Sequence, residues 1–216
     1  MNPDDPHRSG KVLSAGQPLD QAAGVLILVH GRGDSAAGIL SLAEVLNQPG
    51  FAYLAPQATG NTWYPYSFLA PIANNEPGIS SGIAVLGDVV EMALAAGLPY
   101  DRIVLGGFSQ GACLASEFAA RNPRRYGGLL VFSGGLIGPE GTARDYPGSL
   151  DGTPAFLGCS DVDFHIPKER VELSAEVLEQ LGAQVTMRLY PGMGHTINQD
   201  EIDFGLRLLD TVANTL

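Results

Sequence analysis

The chain has 216 residues, 45% hydrophobic and 16% charged, which suits one domain with a sizeable core better than two small ones. A formal net charge of −11 argues against nucleic acid or an anionic membrane as partner, since both need clustered Lys and Arg. No apolar run approaches the ~18 residues of a membrane span and residues 1–17 carry no signal core, so the expectation is a cytoplasmic protein without stable membrane insertion.

A single domain over residues 1–216 is expected, with 1–17 a partly flexible lead-in and His7 in a frayed terminus. Gly24 to His30 is short, apolar and β-branched and stops at Gly31, which predicts a buried strand and a tight loop. Ser35 can cap a helix through Leu46, and Phe51 to Pro56 predicts a second strand. Residues 57–78 read as a long loop, which inside a compact domain often borders a binding site. Ile79 to Ala96 has apolar residues at helical spacing and meets a stop at Gly97. A strand from Arg102 to Gly106 and a helix from Gln110 to Arg121 follow, with Cys113 and Cys159 in apolar sequence as buried free thiols. Strands are expected at Gly128–Phe132, Ala155–Gly158 and Gln184–Tyr190. Helices are expected from Pro167 to about Gly182 and from Ile202 to Val212. This alternation predicts an α/β architecture: a mostly parallel sheet with helices on both faces and no large lid domain, binding ligands at the carboxyl ends of its strands.

Gly107-Phe-Ser109-Gln110-Gly111 is a G-x-S-x-G motif. Chance alone would supply roughly 0.2 copies in a chain of this composition, so the bare pattern is weak. Its setting strengthens it, because it directly follows a strand and opens an Ala-rich helix, as the nucleophile elbow of an α/β-hydrolase must. A Ser hydroxyl needs a base to take its proton. Among the four histidines, His195 lies in a glycine-rich loop after the last strand and follows the candidate acids, giving the order Ser…Asp…His. Asp161 and Asp163 both sit in the loop after the strand ending at Gly158, and spacing alone does not choose between them. An oxyanion requires two N–H donors; the backbone of Gln110 supplies one, and that of Arg32, in His30-Gly-Arg-Gly-Asp34, is best placed for the other. The Arg32 side chain is expected to be solvated, and Asp34 to stabilise the turn.

Together, H-G-x-G-D at 30–34, G-F-S-Q-G at 107–111, D-x-x-x-P at 163–167 and P-G-M-G-H at 191–195 closely resemble the phospholipase/carboxylesterase family, which includes the acyl-protein thioesterases. The resemblance runs from about Val25 to the C-terminus. It implies that the acid is Asp163, four residues before Pro167, and that the oxyanion donors are the N–H groups of Arg32 and Gln110. Phe164 stands where the family usually has Pro. The expected substrate pocket comprises Trp63 and Phe68 from the aromatic loop, Phe164 and Met193, with core packing an alternative for Trp63, Phe164 and Met193. Nothing in this reading asks for a cofactor or a metal. The expected partner is a small-molecule or acyl ester substrate, and a homodimer stays open.

The function implied is a serine carboxylesterase for small to medium acyl esters. Acyl-protein thioesterase or lysophospholipase activity would use the same residues but needs a long apolar groove and membrane contact, and no basic amphipathic helix is visible. A dienelactone hydrolase would carry Cys at the elbow, and an inactive binding module would have lost a triad member; Ser109 and His195 argue against both.

Overall fold

The computed structural model describes residues 5–214. Its elements in chain order are β1 (Val12–Gly16), β2 (Gly24–Val29), α1 (Ala36–Ile39), α2 (Leu42–Val45), β3 (Phe51–Pro56), α3 (Ile72–Asn75), α4 (Gly78–Ala95), β4 (Ile103–Phe108), α5 (Gln110–Arg121), β5 (Gly128–Phe132), β6 (Pro154–Ser160), α6 (Lys168–Gln180), β7 (Gln184–Tyr190) and α7 (Gln199–Asn214). The sheet order is β1-β3-β2-β4-β5-β6-β7, with β1 antiparallel to β3 and every other pair parallel.

β2 is buried at all six positions because helices cover both faces of the sheet. Val25, Ile27 and Val29 face the core shared with α4, α5 and α6, whereas Leu26 and Leu28 face the core shared with α1, α2 and α7. Each such side chain contributes about 1.5–3 kcal/mol by leaving water, which makes this strand a strong organiser of the fold. α4 ends as its sequence predicts. Gly97 takes φ +95°, its N–H donates to Leu94 O and that of Leu98 to Ala93 O, a Schellman closure.

Three expectations change. Residues 5–17 are pinned: His7 is buried, its Nε2–H donates to Trp63 O (2.7 Å), and its backbone N–H donates to Ser81 Oγ (2.9 Å). They also include β1, whose sequence VLSAG buries little and therefore lacks a strand signal. The single helix expected through Leu46 is two short ones, α1 capped by Ser35 Oγ on the Gly38 N–H, and α2. α4 is also long and apolar enough by composition to cross a membrane, yet Ile79, Leu86 and Val89 on it are core residues.

Candidate active site

The carboxyl ends of β2, β4, β6 and β7 lie at one edge of the sheet and carry the four predicted motifs. Between β4 and α5, Ser109 adopts φ +55° and ψ −120°, a conformation costing on the order of 1–3 kcal/mol that persists only where its surroundings enforce it. Here the enforcement is close approach. A Cβ on Gly111 would lie 2.0 Å from Val29 O, and one on Gly107 would lie 2.7 Å from both Val29 O and Gly111 C. Only glycine lets the turn sit this tightly on β2.

His195 joins the serine and the acid. Ser109 Oγ lies 2.8 Å from His195 Nε2, and His195 Nδ1 lies 2.6 Å from Asp163 Oδ2. With the Nδ1 proton directed at the carboxylate, Nε2 is left to accept the serine proton. Asp163 is buried, and its Oδ1 accepts the N–H groups of His165 (2.8 Å) and Ile166 (3.1 Å). Burial pushes its carboxyl up, but the bond to His195 and these two amides outweigh that and hold it below the ordinary value. Asp161 does something else: its Oδ1 accepts the Gly192 N–H at 2.8 Å and so braces the loop bearing His195.

Arg32 and Gln110 line the same cavity as Ser109, and among the described residues no protein acceptor is found for the backbone N–H of either. Side chains hold both segments in place. Gln110 Oε1 accepts the Trp63 N–H (2.9 Å) while its Nε2 donates to Tyr64 O (2.8 Å), and Trp63 Nε1 donates to His30 O (3.0 Å). His30 Nδ1–H donates to Gly31 O and its Nε2 accepts the Ala58 N–H; burial lowers its pKa, which keeps the ring neutral for this bracing. The Arg32 guanidinium is not simply solvated, as expected, but donates to Pro65 O (2.7 Å) and Tyr66 O (2.6 Å). The cavity holds about 440 Å³ and is walled by Tyr64, Phe68, Cys113, His165 and Ile166. Burial pushes the Cys113 thiol up to about 12, so this sulfur is protonated and is no rival nucleophile.

The phospholipase/carboxylesterase family model matches residues 12–212. The chain belongs to the phospholipase/carboxylesterase family. It is 31% identical over 219 residues to acyl-protein thioesterase 1 of Eremothecium gossypii, covering 92% of this chain and 91% of that one. Among solved structures it resembles a phospholipase/carboxylesterase from Dyadobacter fermentans, with TM-score 0.89, 43% identity and coverage of 94% and 96%. Esterase PE8 is also similar, with TM-score 0.76, 26% identity and coverage of 94% and 99%. Family membership makes the chain a carboxylic ester hydrolase with the α/β-hydrolase fold.

Within this phospholipase/carboxylesterase the structure sorts the four expected pocket residues. Phe68 is on the cavity wall. Trp63 is fully buried beneath the loop and acts as a brace, not a wall. Phe164 is 81% exposed and outside the cavity lining, so it neither narrows the pocket nor fills the core; its ring rests on His165, 4.1 Å between centroids. Met193 is also outside the lining, and its thioether faces the Asn198 amide at 3.1 Å. The sequence reading missed His165, whose ring meets that of His195 edge-on at 4.8 Å. It also missed Tyr64, Cys113 and Ile166 as cavity walls. Among the described residues no group of three or more His, Cys, Asp or Glu could hold a metal ion.

Proposed function

We propose that this phospholipase/carboxylesterase hydrolyses small to medium acyl esters through an acyl-enzyme on Ser109. The carrying observation is the continuous hydrogen-bond chain from Ser109 Oγ through His195 to Asp163, at 2.8 and 2.6 Å, opening into the cavity that Arg32 and Gln110 also line. Ser109 Oγ attacks the ester carbonyl while His195 Nε2 takes its proton, and the carbonyl oxygen becomes an oxyanion held by the N–H groups of Arg32 and Gln110. Collapse breaks the bond to the alcohol oxygen, which leaves with the proton from His195. Water, deprotonated in turn by His195, then attacks the acyl carbon; the bond from that carbon to Ser109 Oγ breaks, Oγ takes the proton back from His195, and a carboxylic acid leaves. Asp163 holds the Nδ1–H tautomer throughout and stabilises the imidazolium without being protonated itself.

A cavity of about 440 Å³ falls in the lower half of the range typical for small-molecule sites, roughly 300–1,000 Å³. That supports short and medium acyl chains. Similarity to an acyl-protein thioesterase favours a second reading, thioester hydrolysis by the same residues. Rates on p-nitrophenyl esters from two to sixteen carbons, with a palmitoyl thioester beside them, separate the two. The first reading expects kcat/KM to peak at medium length or shorter, with Ser109→Ala lowering it by more than about 10⁴-fold. A peak at sixteen carbons, or a clear thioester preference, would contradict it.

A further inference from the structure

A second cavity, of about 250 Å³, meets the first at Asp34, Phe108 and His195. Its other walls include Ile39 and Leu42, on α1 and α2, and Ile197, two residues beyond His195. Neither Ser109 nor the Arg32 and Gln110 N–H donors line it. We propose that this cleft is the leaving-group subsite, and that it takes the uncharged apolar alcohol portion of the ester: benzyl, aryl, cyclic or branched alkyl.

The assignment follows from where each substituent of the tetrahedral carbon must go, and it rests on the triad reading above. The oxyanion stays with the two N–H donors, and the carbon stays bonded to Ser109 Oγ, all within the first cavity. When the bond from carbon to the alcohol oxygen breaks, that oxygen keeps the electron pair and must receive the proton on His195 Nε2. The alcohol therefore departs on the His195 side, and the cleft walled by His195 but lacking the oxyanion donors is the space beyond it. Its volume exceeds the ~150 Å³ that accommodates benzene in an apolar cavity. Ile39, Leu42, Phe108 and Ile197 supply apolar contact, while among the described residues Asp34 is its only acidic side chain and no Lys or Arg lines it. An alcohol carrying phosphate or carboxylate would bring like charge to Asp34, and the one group of the cleft that gains positive charge, His195, is already paired with Asp163. The cleft thus selects against leaving groups of net negative charge.

The test uses the purified full chain and aliphatic or benzylic esters, whose alcohols differ little in acidity. kcat/KM is measured for ethyl, benzyl and para-carboxybenzyl butyrate and for ethyl hexanoate. Wild type should prefer benzyl over para-carboxybenzyl butyrate by about tenfold or more, and Asp34→Asn should narrow that gap. Leu42→Trp, which fills the cleft, should lower the benzyl-to-ethyl ratio by about tenfold while the hexanoate-to-butyrate ratio keeps its wild-type value. Leu42→Ala, should the Trp variant not fold, should raise the ratio of naphthylmethyl to benzyl butyrate. If the substitution that folds moves the acyl ratio and not the alcohol ratio, the cleft holds the acyl chain and the proposal is overturned; a folded variant that moves neither overturns it equally. Failure of the underlying reading has a different signature, ethyl butyrate left uncleaved by wild type or cleaved as well by Ser109→Ala.

Discussion

Two aspartates two residues apart have separate tasks, and each is legible in its partners. Asp163 aims one oxygen at His195 and gives the other to the amides of His165 and Ile166, so it is rigid, buried and acidic. Asp161 holds the Gly192 N–H and is tied to His195 only through the loop. Asp163→Asn should lower kcat by up to about 10⁴-fold, because an amide cannot hold the Nδ1–H tautomer. Asp161→Asn should cost far less, since an amide oxygen still accepts the Gly192 N–H. Steady-state hydrolysis of p-nitrophenyl butyrate by both variants checks this, and a more damaged Asp161 variant would reverse the assignment. The residues themselves left the choice open, and only the resemblance pointed to Asp163. Phe164 shows the opposite limit. The inward positions of its loop are taken by Asp163 and Ile166, leaving Phe164 outside, and no sequence pattern reveals which way such a short loop turns. His165 was invisible for a related reason, because its contact with His195 joins two loops thirty residues apart.

At the scale of elements, periodicity and stop signals found β2 to β7 and the long helices, since burial on both faces or on one helical stripe leaves a pattern in the sequence. β1 left none, because an edge strand with little burial needs none. α7 also starts three residues earlier than the expected Ile202. Its true beginning is a capping box in which Asn198 Oδ1 accepts the Glu201 N–H (3.1 Å) and Glu201 Oε2 accepts the Asn198 N–H (2.8 Å). Glu201 is fully buried, and its Oε1 has no hydrogen-bond partner among the described residues. Burial raises its pKa from 4.5 to about 7, with the Asn198 N–H opposing and Asp200 adding to the rise. The native state therefore binds more protons than the unfolded chain between those two values. By linkage, the contribution of Glu201 to stability is fully present below the unfolded value and is lost as pH rises through that window, by about 3 kcal/mol in all. Glu201→Gln keeps the cap acceptor but cannot ionise, so the loss of Tm between pH 5 and pH 8 should shrink markedly in the variant. Thermal unfolding at both pH values tests this, and an unchanged loss would contradict it.

At the scale of the whole molecule, the site exists because parallel strands point their carboxyl ends the same way. β2, β4, β6 and β7 then deliver the Arg32 loop, Ser109, Asp163 and His195 to one edge from positions spread over more than half of the chain. Motif order was enough to foresee that convergence. The bracing around it was not foreseeable, because the ties from Trp63 to His30, Gln110 to the 63–64 backbone and His7 to Trp63 join segments with no sequence relation. Treatment with a fluorophosphonate, followed by intact mass and peptide mapping, tests the nucleophile most directly. One equivalent of label should appear on the peptide containing Ser109, in step with loss of esterase activity, and Ser109→Ala should take up none. Label on another residue, or full activity after Ser109 is modified, would contradict the mechanism.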